Sequence, residues 1–412
     1  MAVLAAIAEA LAGIGALQCI AGWIAVVRFA ARARKPARSC PPITVLKPLH
    51  GNERGLERAL ETVCRQRYPT YQVVFGVQDP ADPAAGVVRR LQSRFPGRDL
   101  SLVVDPTQHG ANRKVGNLIN MLPAARYDVL VIADSDLHVR TDYLERLMAA
   151  MEPPGVGLVT TLYAGTPLPL AAESLSRGFV LGGGSRRDPG EGFAPLIALL
   201  GATQITHSFL PGALLARAFG RRDCLGATMA LRRDTLRRIG GFQALVDHLA
   251  DDNALGRLVQ GIGLGVALAD TVPLTTVPER TITALFRHEL RWARTIRALA
   301  PAPFAASVLQ YPIFWALIAA ALGPFAFWSW AGVIVAWAIR AATTRGIDVA
   351  LARFVGRVAA VPLWLLPFRE LMSVAVMIAS YAGLQVEWRG YTLRASGPAN
   401  LTAVQEKGLT PR

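Results

Sequence analysis

Cysteine is scarce. Cys19, Cys40, Cys64 and Cys224 are the only four in 412 residues, and no two are spaced as CxxC. This excludes a zinc-finger pattern and a disulfide framework, and a reducing compartment is expected. Glycine-rich phosphate loops are missing too. Neither GxGxxG nor GxxxxGK[ST] follows any strand-like run, which disfavours a dinucleotide dehydrogenase and a P-loop NTPase. Acidic residues are few, 29 Asp+Glu against 44 Lys+Arg, giving a formal charge of +15. Aromatics are not interleaved with the basic residues, so nucleic acid is not an expected partner. With 52% hydrophobic residues, the cationic excess fits a membrane protein with basic flanks.

Long apolar runs are what the chain does have. Residues 10–27, "ALAGIGALQCIAGWIAVV", carry no charge and are long enough to cross a bilayer. Arg28, Arg32, Arg34, Lys35 and Arg38 follow at once. A cleaved signal peptide carries its charge before a shorter apolar run. An uncleaved anchor is therefore expected, with the N-terminus outside and residues 28 onward cytoplasmic. A second apolar region, 304–339, is broken at Gly323-Pro324 and predicts a hairpin of two short helices. Arg340, Arg345, Arg353 and Arg357 are then expected in a cytoplasmic loop. The last apolar stretch, 358–384, contains Arg369 and Glu370, either as an internal pair or as the mark of an interfacial helix. Segment 192–219, interrupted by Pro195, His207 and Pro211, reads equally as a membrane-interfacial segment or a buried core helix. The expected divisions are an anchor at 1–38, a soluble block at 39–300, a C-terminal membrane region at 301–392 and a tail at 393–412.

The soluble block alternates strands and helices. "ITVLKPL" (43–49), "YQVVFGVQD" (71–79), "LSLVVD" (100–105) and "DVLVIAD" (128–134) read as strands. Between them, Leu56, Leu60, Val63 and Cys64 share one helical face, Asp82 precedes Pro83 as a helix cap, and a helix starts near Lys114. Such alternation predicts an α/β fold with a mostly parallel, Rossmann-like sheet buried on both faces.

In an open α/β sheet, ligands sit outside the carboxyl ends of the strands. Asp79 and the pair Asp134/Asp136 fall at such ends. Two carboxylates one residue apart suit Mg²⁺ or Mn²⁺, whose shell phosphate oxygens complete. The plainer reading is that Ser135 or Asp136 caps the next helix. Asp251 and Asp252 stand at another expected helix start, where one of them serves as an N-cap in the plain reading. Arg287, Arg291 and Arg294 share a helical face beside His288 and Trp292. That face reads either as a solvated basic surface or as a binding site for a diphosphate leaving group.

In order, "VLKPL", "FGVQDPADPA", "NRKVGNL", "ADSD", "ADDN" and "HELRW" resemble the ceramide glucosyltransferase-like branch of the inverting GT-A glycosyltransferases. "HGANRKVGNLINMLPAARYDVLVIADSD" and "HELRWARTIR" are most similar to hopanoid-biosynthesis-associated members. The resemblance implies a GT-A domain facing the cytoplasm, held by N-terminal and C-terminal transmembrane helices in a bacterial inner membrane. It implies that Asp79 binds the uridine of a UDP-sugar, that Lys114 approaches the diphosphate, and that Asn112 and Asn117 shape that loop. Asp136, helped by Asp134, would bind the metal, and Asp252 would be the catalytic base. Arg291 and Trp292 match the end of a (Q/R)xxRW motif, with His288 where Gln or Arg is usual. The preferred substrates are UDP-GlcNAc and a hopanoid polyol, bacteriohopanetetrol. UDP-glucose and ceramide are the alternative, and a non-catalytic UDP-binding scaffold is a further one.

Overall fold

The computed structural model describes residues 1–34, 36–167, 194–323, 327–356, 360–383, 385–388, 391–395 and 401–406. Of the positions singled out above, Lys35, Pro324, Arg357, residues 192–193 and residues 396–400 and 407–412 of the expected tail lie outside these.

A long helix, α1 (Ala2–Ala30), precedes the alternating block. That block runs β1 (Ile43–Pro48), α2 (Leu56–Cys64), β2 (Tyr71–Val77), α3 (Pro83–Arg94), β3 (Asp99–Val104), α4 (Arg113–Met121) and β4 (Val129–Ala133). It continues with β5 (Leu137–His138), α5 (Tyr143–Met151), β6 (Val156–Thr160) and β7 (Ala164–Pro167). After α6 (Ala194–Gln204), α7 (Leu210–Ala218), β8 (Thr228–Arg232), α8 (Arg233–Arg238) and α9 (Asp251–Gly261) come β9 (Gly265–Leu268), β10 (Leu274–Val277) and α10 (Ile282–Leu299). The expected cap is present: Asp82 Oδ1 accepts from Ala84 N at 2.8 Å, with Pro83 at the first helical position.

Seven strands form one sheet in the order β3-β2-β1-β4-β8-β6-β9. β3, β2, β1 and β4 are parallel, and β8 runs antiparallel between β4 and β6. Alternate residues feed two cores. Ile43, Val45, Val73, Phe75, Val129 and Val131 pack with helices α2, α3 and α5. Leu46, Val74, Leu130 and Ile132 pack on the other face with α4 and α9. Burial on both faces explains why these strands are apolar without alternation. Chain order reverses between β1 and β4, which makes the crevice beyond their carboxyl ends the topological switch point. A small sheet, β5-β10-β7, stands beside it.

Helices α11 (Pro301–Ala306), α12 (Pro312–Leu322), α13 (Phe327–Val355) and α14 (Leu366–Ser380) complete the C-terminal region. A three-stranded antiparallel sheet of β11 (Gln385–Trp388), β12 (Tyr391–Ala395) and β13 (Leu401–Glu406) spans the expected start of the tail. Among the described residues, Ala2–Ala30 and Leu363–Ser380 are long and apolar enough to cross a membrane. The pair Pro301–Gln310 and Pro312–Leu322, bent by 70°, would add a third. Val3, Ile7, Leu17, Phe368 and Ile378 are exposed on these helices, an outward apolar face that suits lipid.

Arg340, Arg345 and Arg353 do not lie in a loop, because α13 carries the chain helically to Val355. Arginine is a good helix former, and the buried Arg340 finds partners across the bundle. It donates to His207 O at 2.9 Å and Ser208 Oγ at 3.0 Å and lies 3.4 Å from Glu370. Arg369 and Glu370 are not an internal pair either. Neighbours on a helix point about 100° apart, so Arg369 makes a bidentate bond to Glu289 at 2.7 and 2.8 Å, while Glu370 accepts from Ile313 N at 2.8 Å. Segment 194–218 forms two helices joined by a π-turn at Ile205–Phe209, and its middle is buried against other protein elements.

Candidate functional site

The crevice at the switch point is built from four elements. β4 delivers Asp134, whose amide donates to Ala227 O at 3.2 Å and so extends the ladder toward β8. Asp136 follows, and the next element is the short strand β5 rather than a helix, so neither Ser135 nor Asp136 is a helix cap. Thr275 of β10 donates its hydroxyl to Asp136, and Ser135 Oγ lies 3.2 Å from Glu53 Oε2. α4 delivers Lys114 from its first turn. The cap of that helix is Asn112, which accepts from Val115 N at 3.2 Å and donates to His248 O at 2.7 Å. Asn117 donates to Gly76 O at 2.8 Å and pins the helix to β2. A side chain at position 76 would collide with Asn117 and Met121, so only glycine allows that approach.

Lys114 joins the aspartates. Its Nζ is 2.9 Å from Asp134 Oδ1 and 3.4 Å from Asp251 Oδ2. Burial opposes its charge, but Asp134 and Asp251 outweigh burial and hold Lys114 above the usual lysine range. Asp252 stands in the first turn of α9. Burial first, then the charge of Asp251, push its carboxyl up to about 7. Gly226, with φ +70°, abuts Asp252 closely enough that a Cβ there would strike the carboxylate. Burial and the neighbouring Asp134 likewise raise Asp136 to about 6. Asp79 lies at the end of β2, exposed, accepting from Ala81 N at 2.8 Å. Two strand spacings, about 10 Å, separate it from the β4 end. That is a span suited to an extended ligand with an aspartate at either end.

His288, Arg291 and Trp292 share α10, where His288 Nδ1 bonds Glu279 and its ring meets Trp292 edge-on at 4.7 Å between centroids. The partner of the His288 ring on this helix face is Glu279 rather than one of the strand-end aspartates. Trp292 instead helps to line a cavity of about 660 Å³ whose wall includes Asn253, the neighbour of Asp252.

Sequence reasoning passed over Lys47 and Thr275, and read Asp251 only as a helix cap. Lys47 is fully buried in β1 and donates to Asp134 O at 2.6 Å. Burial lowers its pKa to about 8 against the opposing pull of Asp136 and Asp134. A lysine inside the otherwise apolar "ITVLKPL" is the signal that could have found it. Thr275 gives no such local cue, since tertiary packing alone brings it to Asp136.

Among the described residues no three His, Cys, Asp or Glu side chains cluster as a complete metal cage. Two crowded carboxylates, Asp134 and Asp136, fit a hard cation that takes few protein ligands and completes its shell with phosphate oxygens.

A mannosyltransferase from Pyrobaculum calidifontis, solved with GDP-Man and Mn²⁺, superposes with a TM-score of 0.50 at 20% identity, over 92% of this chain and 99% of that one. The shared architecture is the GT-A fold. Ceramide glucosyltransferase 1 of Caenorhabditis elegans is 23% identical over 269 residues, 65% of this chain and 52% of that protein. Ceramide glucosyltransferase of Komagataella phaffii is 30% identical over 113 residues, 26% of this chain and 22% of that one. The chain thus spans about half the length of the C. elegans relative or less of the yeast one. Glycosyl transferase family 21 matches residues 3–179 and 190–399, so nearly the whole sequence is covered and the chain belongs to that family.

Proposed function

We propose that this chain is a membrane-bound inverting glycosyltransferase that moves a sugar from a UDP-sugar to a hydroxyl of a membrane lipid. The observation that carries this reading is the convergence of Asp134, Lys114, Asp251 and Asp252 at the switch point, with the residue after Asp252 in the wall of a largely apolar cavity.

Asp79 binds the uridine and Lys114 meets the diphosphate, with Asn112 and Asn117 setting the loop between them. A divalent cation held by Asp136 and Asp134 would supply positive charge against the developing diphosphate anion. Asp252 takes the proton of the acceptor hydroxyl. That oxygen bonds to the anomeric carbon as the bond to the diphosphate breaks, and the electron pair leaves with UDP. Attack from the opposite face inverts the configuration and needs no covalent sugar–enzyme bond. A carboxyl pushed up to about 7 is a stronger base than an ordinary aspartate, and catalytic bases work best near the ambient pH. Arg291 adds cationic charge from α10, where His288 and Trp292 order its surroundings.

The relatives named ceramide glucosyltransferase support UDP-glucose and ceramide as substrates. The stretches "NRKVGNL" and "HELRW" support UDP-GlcNAc and bacteriohopanetetrol. The deciding experiment incubates detergent-purified protein with Mn²⁺ or Mg²⁺, each donor against each lipid, and reads products by mass spectrometry. Hexosylceramide or N-acetylhexosaminyl hopanoid is the expected product. UDP–Mn²⁺ binding without any glycolipid would leave a non-catalytic scaffold instead.

A further inference from the structure

The 660 Å³ cavity lies between two kinds of wall. On one side are Leu225, Asn253, Leu268 and Trp292 from the α/β block. On the other are helices apolar enough to cross a bilayer: Gln18 from α1, Val376 and Met377 from α14, and Phe304, Gln310 and Tyr311 from the bent pair. The lining is mostly apolar and also includes Arg217, Arg221 and Asp223. Its volume falls in the range of about 300–1,000 Å³ usual for small-molecule sites.

Three side-chain amides stand out in this lining. Gln18, Asn253 and Gln310 are half-buried, and their side chains make no hydrogen bond among the described residues. Glu289 and Gln204 in the same wall are already engaged. Glu289 is held by Arg369, and Gln204 accepts from Ser373 Oγ at 3.1 Å. These amides line the cavity with donors and acceptors free to bond a ligand, and a ligand that covered them without offering partners would leave them unpaired. Their placement is directional. Asn253 adjoins Asp252, while Gln18 and Gln310 line the cavity from the membrane side, where α1 approaches the bent pair through the contact of Cys19 Sγ with Gln310 O at 3.6 Å.

We propose that this cavity is the acceptor site, and that it takes the head of a single membrane lipid carrying at least two hydroxyl or amide groups. One group bonds Asn253, which presents the reacting hydroxyl to Asp252. Another bonds Gln18 and Gln310, and the hydrocarbon leaves along Phe304, Val376 and Met377 between the apolar helices. The proposal rests on the transfer reading above and adds a specificity to it. A lipid with a single hydroxyl satisfies one end of the cavity and leaves the other amides unpaired, so polyol and amide heads are preferred.

Gly212 offers a clean obstruction. It lines the cavity, and a Cβ built on it meets nothing within 4 Å. A larger residue there also favours the helix, since glycine is the weaker helix former. The experiment uses full-length protein in detergent: wild type, Gly212→Phe, and Gln18→Leu combined with Gln310→Leu. It measures equilibrium binding of radiolabelled short-chain ceramide, bacteriohopanetetrol and dodecanol, and separately calorimetric binding of UDP with Mn²⁺. Gly212→Phe is expected to weaken binding of ceramide or bacteriohopanetetrol by about tenfold or more, equivalent to about 1.4 kcal/mol, with UDP binding retained. The glutamine double variant is expected to weaken the polar-headed lipid and leave dodecanol unchanged. Equal lipid binding by wild type and Gly212→Phe, or no lipid binding by wild type, overturns the acceptor site. If Gly212→Phe also loses UDP it has misfolded, and the glutamine double variant then decides by the same criterion. A wild type that binds lipid but not UDP–Mn²⁺ overturns the transfer reading and leaves the lipid site standing.

Discussion

Asp252 and Asp134 illustrate how neighbouring carboxylates are given different work. Lys114 touches Asp134 directly, whereas at Asp252 burial and the repulsion of Asp251 outweigh the pull of Lys114. A carboxyl raised to about 7 is protonated below that pH and cannot take a proton. We therefore expect kcat/KM to fall as pH drops through about 7, a profile that initial-rate measurements at fixed saturating metal would trace. Asp252→Asn should lose turnover by about 10²–10⁴-fold while keeping UDP–Mn²⁺ binding. A pH profile unchanged by burial, with its inflection near 4, would remove Asp252 from the base role. At this scale the sequence was informative wherever chemistry and local pattern coincide. Asp134 and Asp136 end a five-residue apolar strand, and Asp252 opens a helix, so their positions could be read directly. Thr275 could not, because it lies 139 residues from Asp136 and only the pairing of β10 with β5 brings them together.

At the scale of elements, α10 is coupled to α14 by one buried ion pair. Arg369 is 1% exposed and Glu289 is 8%, and the guanidinium also reaches Leu200 O of α6 at 3.2 Å. Removing one partner leaves an uncompensated buried charge, an effect of about 3–5 kcal/mol. Glu289→Leu alone should therefore lower thermal stability sharply, and Glu289→Leu with Arg369→Leu should recover much of it. Thermal unfolding of the single and double variants in detergent checks this. Equal destabilisation by the single and the double substitution would show that packing, not the pair, holds these helices. Arg369 and Glu370 also show where sequence patterning ends. Their helix was legible from its apolar run, but adjacent residues on a helix face different neighbours, and those neighbours come from α10 and α12. The π-turn at Ile205–Phe209 had no sequence cue beyond His207 and Pro211. Pro211, four residues after His207, has no amide hydrogen to offer the His207 carbonyl, which the buried Arg340 takes.

Across the whole molecule, charge and apolar surface compete to explain how the chain meets a membrane. A protein of charge +15 could adhere to anionic lipid by electrostatics alone. Such adhesion is screened at 1 M salt, where the Debye length is about 3 Å. Because α1 and α14 present exposed apolar faces, the protein should stay with vesicles of neutral lipid in 1 M NaCl. Flotation of proteoliposomes at low and high salt tests this, and release at high salt would make the attachment peripheral.

The sequence by itself determined the alternation of strands and helices, the apolar helices, and the acidic ends of β2 and β4. Each of these follows from local pattern, because burial on both sheet faces demands continuous apolar strands and a strand exit exposes polar groups. What only the tertiary structure decided is which of these residues meet. Lys114 between Asp134 and Asp251, Arg340 against the His207 carbonyl, and a cavity walled by residues from Gln18 to Met377 all depend on contacts between elements far apart in the chain. Periodicity carries no record of such contacts, since it states only which face of an element is buried and not what buries it.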